Sequence, residues 1–259
     1  MTKNLDIEDA LRDLRVPAPP GFGLRALTAT GIVDAWTTVD GPSGPLYVAH
    51  NPEGISGVAP AVSPEAFGEI HSRRSGRMLG NEEALPPRLA TALERTFTTG
   101  KLAGLRVDLR ELTEFQQAVL RKTAEIPPGE IRPYGWVARE IGKPGAVRAV
   151  GSALNRNPVP VVIPCHRVAR SDGAVGEYAF GAAMKRALLA GEGTDLDHVD
   201  QLASSGVRFT GAASTRIYCH PTCRHGLRIG TGQVVSFRSA TDAALAGYRP
   251  CKVCRPAAA

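Results

Sequence analysis

The 259-residue sequence lacks any apolar run approaching the roughly 18 residues that a membrane-spanning helix needs, which excludes a transmembrane helix. Behind the opening Met1-Thr2-Lys3-Asn4-Leu5-Asp6 there is no hydrophobic segment, so a secretory signal is not expected and a cytoplasmic location is. No internal repeat is visible, which argues against solenoids and propellers. Cysteine is scarce and odd in number: five residues, at 165, 219, 223, 251 and 254. An odd set in a chain of this kind speaks against a disulfide framework. Acidic residues almost vanish from the C-terminal part, where residues 206–259 hold eight Lys/Arg against one Asp/Glu.

What is present is unevenly arranged. Residues 1–112 carry a net charge of −2, residues 113–193 +4, residues 194–205 −3 and residues 206–259 +7. Two basic segments flank an acidic one, and phosphate is the commonest partner of such segments. The length suits about two domains of ordinary size, and an apolar fraction of 43% is enough for real cores.

The first part reads as an α/β scaffold. A short helix is expected at residues 5–15, stopped by Pro17, Pro19 and Pro20. Strands are expected at Val33–Val39 and Leu46–His50, joined by the turn cluster Gly41-Pro42-Ser43-Gly44-Pro45. A helix is expected near Pro86–Phe97, where Leu89, Leu93 and Phe97 recur at spacing four. The basic cluster Arg73, Arg74 and Arg77 reads as a solvated loop.

The texture changes at Thr113. Thr113 and Gln116 have the spacing of a capping box, and Pro127-Pro128-Gly129 ends the helix that follows. Tyr134–Gly142 reads as a short helix closed by glycine. Lys143-Pro144 opens another, Gly145 to about Asn155, and the pair has the outline of a helix-turn-helix. The apolar run Val159–Ile163 leads into Pro164-Cys165-His166-Arg167. A last helix, Ala182 to Ala190, stops at Gly191, just before Glu192. Residues 194–206 read as a linker.

A cysteine reacts as thiolate, and a neighbouring base makes thiolate available. Cys165 has His166 beside it, although adjacent side chains usually point apart. The wider segment Glu114–Gly193 resembles the O6-alkylguanine-DNA alkyltransferase family. The residues that carry the resemblance are Phe115-Gln116, Ile126-Pro127-Pro128-Gly129-Glu130, Tyr134-Gly135, Arg148-Ala149-Val150-Gly151, Asn157-Pro158, Ile163-Pro164-Cys165-His166-Arg167-Val168 and Glu192-Gly193. It implies Cys165 as alkyl acceptor, His166 as the base reached through a water, and Glu192 as the carboxylate that orients His166. It implies Asn157 as the brace of the turn before the nucleophile, and Tyr134 as a hydrogen-bond donor to guanine N3. Arg148 would fill the gap left by a flipped base, on a helix whose Ala149, Gly151 and Ser152 allow close approach to DNA. Val168 and Tyr178 would line the alkyl pocket, and Phe180, where many members have glycine, would narrow it. Pro133 departs from the family's usual Ser or Thr.

Cys219-x3-Cys223 and Cys251-x2-Cys254, separated by 27 residues, have the spacing of a four-thiolate zinc site. Tyr218–Cys223 and Ala246–Cys254 resemble the metal-binding domain of the Ada adaptive-response proteins, with His220 where that family usually carries arginine. The resemblance implies one Zn2+ and Cys219 as a second acceptor, taking methyl from DNA methylphosphotriesters; a structural or DNA-anchoring zinc knuckle is the other reading.

Together these readings predict an α+β protein. The family resemblances imply that residues 1–112 are a ribonuclease-H-like scaffold, 113–193 a helical, winged-helix-turn-helix-like alkyltransferase domain, and 207–259 a small zinc domain. The expected partner is double-stranded DNA containing O6-alkylguanine, met by a monomer with no membrane attachment. The expected reaction is a single irreversible transfer of the alkyl group to Cys165. The contrasting class is a lesion-binding or methylation-sensing protein without transfer.

Overall fold

The computed structural model describes residues 19, 21–102 and 104–256; the helix expected at residues 5–15 lies outside them. Helix α1 (Phe22–Ala29) precedes a sheet built from β1 (Val33–Gly41), β2 (Gly44–Asn51), β3 (Gly54–Pro60) and β4 (Met78–Glu82) in the order β3-β2-β1-β4. The first three strands form an antiparallel meander, and β4 joins β1 in parallel after the crossover helix α2 (Pro64–Ser75). Side chains alternate across the sheet. Leu46 and Val48 enter the main core, whereas Tyr47 and Ala49 face Phe67 of α2.

Arg73, Arg74 and Arg77 do not form a solvated loop. Arg73 and Arg74 end α2, and Arg77 pairs with the buried Asp34 and Asp108 at 3.2 and 2.6 Å. Asp34 also receives hydrogen bonds from Ser56 and Asn51 and sits 2.9 Å from His71 Nε2. This buried network pins α2 to the sheet and aims Arg74 across the core, where it donates to the carbonyl of Asn157 at 3.1 Å.

Helix α3 (Pro87–Thr99) buries Leu93 against the same core. Helix α4 (Glu114–Ala124) starts with the expected capping box, Thr113 and Gln116 satisfying each other's end of the helix. It packs with α5 (Tyr134–Glu140) and α6 (Val147–Asn155). Helix α6 begins later than expected, because Lys143–Ala146 close a turn first. It buries Val150, Ala153 and Leu154 and leaves Arg148, Ala149 and Ser152 exposed. One core runs from the sheet (Leu46, Val48, Ile55, Val58) into these helices (Val119, Leu120, Trp136, Val150) and the run Val159–Ile163.

A two-stranded parallel ribbon, β5 (Arg132–Pro133) with β6 (Val168–Ala169), ties the entry to α5 to the segment after Cys165. Helix α7 (Ala182–Gly191) follows. Residues 194–206, expected as a linker, hold a helix: α8 (Leu196–Ser204) starts there, with the Asp195 side chain capping the His198 N–H at 3.0 Å. The segment is polar because Val199 is its one fully buried apolar residue, packed with Leu189 and Val175.

The last segment folds as a sheet of order β10-β8-β7-β9, from β7 (Phe209–Ala212), β8 (Ile217–Cys219), β9 (Val234–Phe237) and β10 (Arg249–Pro250), with α9 (Ala240–Leu245) across it. It docks on α5 and β5 through polar contacts. Trp136 Nε1 donates to the Cys254 carbonyl at 2.9 Å, Arg139 donates to the Pro256 carbonyl at 3.2 Å, and the Ile131 N–H donates to Thr222 Oγ1 at 2.7 Å. Arg255 pairs with Glu140 at 2.5 Å. Among the described residues no helix is long and apolar enough to cross a membrane.

Candidate active site and candidate metal centre

Cys165 opens a single 3₁₀ turn, Cys165–Arg167, between Pro164 and β6. Its side chain is 7% exposed. Asn157, fully buried, organises the approach: its Nδ2 donates to the Ile163 carbonyl at 3.0 Å and to Cys165 Sγ at 3.2 Å, and its Oδ1 accepts the Val159 N–H at 3.1 Å. Asparagine is required by this arrangement, since one side chain must offer donors and an acceptor at once.

Behind the sulfur, His166 Nε2 lies 2.9 Å from Glu192 Oε1. The other ring nitrogen, Nδ1, is buried without a hydrogen-bond partner among the described residues. Glu192 is in turn held by the Arg167 guanidinium, at 2.7–3.0 Å, and by the Gly129 N–H at 3.1 Å. Burial raises the Glu192 carboxyl, but hydrogen bonds from His166 and Arg167 outweigh it and pull the group down to about 2. Burial holds His166 below its ordinary value, against the pull of Glu192, so its ring is neutral and can accept a proton.

Burial pushes the Cys165 thiol up, opposed by the Asn157 hydrogen bond and by the charges of Lys185 and Arg74. The resting side chain is therefore a thiol, and a base must take its proton. The sequence places Arg74 in a solvated loop and gives Lys185 no role. Lys185 is 1% exposed and donates to the carbonyls of Val168 and Val175 at 2.7 and 2.5 Å; burial lowers it to about 8. Its place three and four residues before Leu188 and Leu189, on the apolar face of α7, was the available signal. Nothing local marks Arg74, which is 83 residues from its partner Asn157.

In front of the sulfur lies an open cleft of about 500 Å³, lined by Tyr134, Gly151, Leu154, Asn155, Cys165, Glu177, Tyr178 and Ala179. The ribbon β5–β6 puts Tyr134 there, and α6 supplies Gly151 beneath its exposed Arg148, Ala149 and Ser152. Tyr134 and Tyr178 both have raised phenol pKa values, burial being the main cause. Two sequence expectations do not hold. Val168 is fully buried in the core and does not line the cleft. Phe180 is not in the cleft either: it turns back onto the sheet with Tyr47, Ala49 and Phe67, and the Arg74 guanidinium lies 5.8 Å from its ring centre.

The four remaining cysteines form a second centre. The sulfurs of Cys219, Cys223, Cys251 and Cys254 lie within 4.8 Å of one another, all buried and none in a disulfide. Four thiolates at that spacing fit one tetrahedral zinc, whose Zn–S bonds of about 2.3 Å set sulfurs a little under 4 Å apart. Beside them runs an open cleft of about 1010 Å³, lined by Cys219 and Cys251 and by His225, Arg228, Arg249 and Lys252.

Comparison with known proteins agrees with both centres. Residues 114–194 match the 6-O-methylguanine DNA methyltransferase, DNA binding domain, and residues 199–257 match the metal binding domain of Ada. The methylated-DNA–protein-cysteine methyltransferase of Methanosarcina acetivorans is 37% identical over 162 residues, 60% of this chain and 96% of that protein. The regulatory protein ada of Salmonella typhimurium is 38% identical over 151 residues, 58% of this chain and 42% of that protein. The crystal structure of the Mycobacterium tuberculosis O6-methylguanine methyltransferase superposes with a TM-score of 0.50 at 32% identity, covering 62% of this chain and 93% of that one. The chain belongs to the methylated-DNA–protein-cysteine methyltransferase family.

Proposed function

We propose that this protein repairs DNA by transferring an alkyl group from O6 of guanine to Cys165, irreversibly and once per molecule. The observation that carries the reading is a buried cysteine facing an open cleft, with a hydrogen-bond donor on its sulfur and a His166–Glu192 pair behind it. His166 Nδ1 takes the thiol proton through a bridging water. The sulfur attacks the alkyl carbon in line, the S–C bond forms as the C–O6 bond breaks, and the electron pair stays on guanine. Tyr134 donates to guanine N3 and offsets the charge that develops there. The product is a thioether, and no group in the cleft can hydrolyse it.

The target atom lies inside a duplex, so the nucleotide must leave the stack, at a cost of a few kcal/mol. Helix α6 enters the minor groove, its small residues Ala149, Gly151 and Ser152 admitting the backbone and Arg148 filling the gap. In this reading α5 and α6 act as a winged helix-turn-helix, residues 1–112 as a ribonuclease-H-like scaffold and 207–259 as a separate functional unit. The protein acts as a cytoplasmic monomer on double-stranded DNA. The test is the intact mass after exposure to duplex carrying O6-methylguanine: one methyl on the Cys165 peptide is expected, and none in Cys165→Ser. A protein that binds the duplex and gains no methyl would be a lesion binder instead.

The basic cleft beside the metal centre favours a second transfer. Cys219 lines it, so a neutral methylphosphotriester held by Arg228, Arg249 and Lys252 could present its methyl to that sulfur. Zinc, when bound, keeps the sulfur anionic and nucleophilic. Cys165→Ser protein treated with methylphosphotriester DNA should gain methyl on Cys219; a knuckle that only anchors DNA would gain none.

A further inference from the structure

The cleft in front of Cys165 has a feature that the transfer reaction does not use. Glu177 stands on its wall, exposed, and its carboxylate makes no hydrogen bond or ion pair among the described residues. The loop that carries it is pinned on both sides. Lys185 Nζ donates to the carbonyls of Val175 and Glu177, at 2.5 and 3.3 Å, and the Gly181 N–H donates to the Tyr178 carbonyl at 3.0 Å. Phe180 anchors the far end on the sheet, edge-on to Tyr178 at 5.6 Å. The carboxylate is thus held at the mouth of the cleft rather than on a free loop.

The nearby cations, Arg74 and Lys185, keep their charge and act on the Cys165 sulfur, but neither lines the cleft. Arg74 donates to the Asn157 carbonyl and covers Phe180, and Lys185 is sealed among three main-chain carbonyls. The remaining ionisable groups facing the cleft are Cys165, Tyr134 and Tyr178, none of which adds positive charge. Among the described residues that line the cleft, Glu177 is the one that carries a formal charge, and an alkyl group on its way to the sulfur passes it.

We propose that Glu177 sets the charge preference of the transfer: neutral and cationic O6 substituents are admitted, and anionic ones such as carboxymethyl are disfavoured. This inference rests on the reaction proposed above. Specificity here is a difference between two rates, and a like charge built against one substrate is an effective way to create it. Like charges a few ångströms apart near a protein surface repel strongly enough for about tenfold discrimination. The screening expected of an exposed carboxylate makes that discrimination dependent on salt.

The experiment uses the full-length protein and three otherwise identical duplexes, carrying O6-methylguanine, O6-carboxymethylguanine or O6-(2-aminoethyl)guanine. Single-turnover transfer to Cys165 is followed by mass for the wild type, Glu177→Gln and Glu177→Lys. The quantity read is the ratio of each rate to the methyl rate in the same protein, so a general loss of activity cancels. The carboxymethyl ratio should rise about tenfold in Glu177→Gln and further in Glu177→Lys, while the aminoethyl ratio falls. In the wild type, added salt should raise the carboxymethyl ratio. Ratios that are the same in all three proteins, with methyl transfer intact, overturn the role of Glu177 and leave the reaction standing. Absence of methyl transfer in the wild type overturns the reaction and this inference with it.

Discussion

Replacing Arg167 with methionine removes a guanidinium that is 2% exposed and joins three parts of the fold. Its nitrogens reach Glu192, at the end of α7, at 2.7 to 3.0 Å and the carbonyl of Ile126, after α4, at 2.6 Å. Methionine has similar length and no donor. Glu192 would keep its charge with only His166 and the Gly129 N–H to hold it. Leaving one member of a buried pair alone costs about 3–5 kcal/mol, a large part of the roughly 5–15 kcal/mol that stabilises an ordinary domain. Urea unfolding should show that loss. Adding Glu192→Gln removes the stranded charge, so the double variant should be more stable than the sum of the single effects predicts, by at least about 2 kcal/mol. Arg167 also depresses the His166 pKa, so the acid limb of methyl transfer should move to higher pH in Arg167→Met. Additive single effects, or a loss under about 1 kcal/mol, would refute the idea that Arg167 and Glu192 hold the nucleophile's turn as a unit.

Other outcomes follow from the same geometry. The Glu192 carboxyl sits near 2 in the fold against an ordinary 4.5, so its stabilisation is complete above the ordinary value and is lost as pH falls toward 2. That is about 3 kcal/mol between the two limits, and Glu192→Gln should flatten the acid limb of the stability curve; an unchanged slope would refute it. Phe180→Gly should not widen the cleft, because the ring is not in it; reaction with free O6-benzylguanine should not accelerate, and a several-fold increase would contradict the placement of Phe180. Stripping the metal centre with a chelator should uncover Trp136, whose indole bonds the Cys254 carbonyl. In a Trp36→Phe background its emission should move to longer wavelength, and an unmoved spectrum would mean that the last segment docks without metal.

What the sequence disclosed was chemistry that sits close along the chain. The cysteine pairs, the Cys165-His166 dipeptide and the Thr113–Gln116 cap are local patterns, and each has a counterpart in the structure. Asn157 came with the family resemblance, and its side-chain bonds are local, to Val159, Ile163 and Cys165. Arg74 was not legible, because its role depends on how α2 crosses the sheet, which no local pattern encodes. Phe180 was misjudged for a related reason: its position in the loop is fixed by sequence, but the direction of its ring is fixed by the apolar face offered by Tyr47, Ala49 and Phe67. The helix at Leu196–Ser204 escaped notice because a nine-residue helix with Val199 as its fully buried residue has little periodicity to show.

The contact between Trp136 and Cys254 also has a history in time. The two residues are 118 positions apart. A chain made at about 5–20 residues per second needs roughly 6–24 s to cover that distance. During synthesis the alkyltransferase core can close while its indole still faces water, and the protecting partner arrives only with the final turn of cysteines and, with them, the metal. Newly made molecules in zinc-starved cells would stay at that stage, with the Trp136 N–H lacking its carbonyl partner. The cysteine set far downstream thus supplies a contact that the earlier part of the chain cannot make by itself.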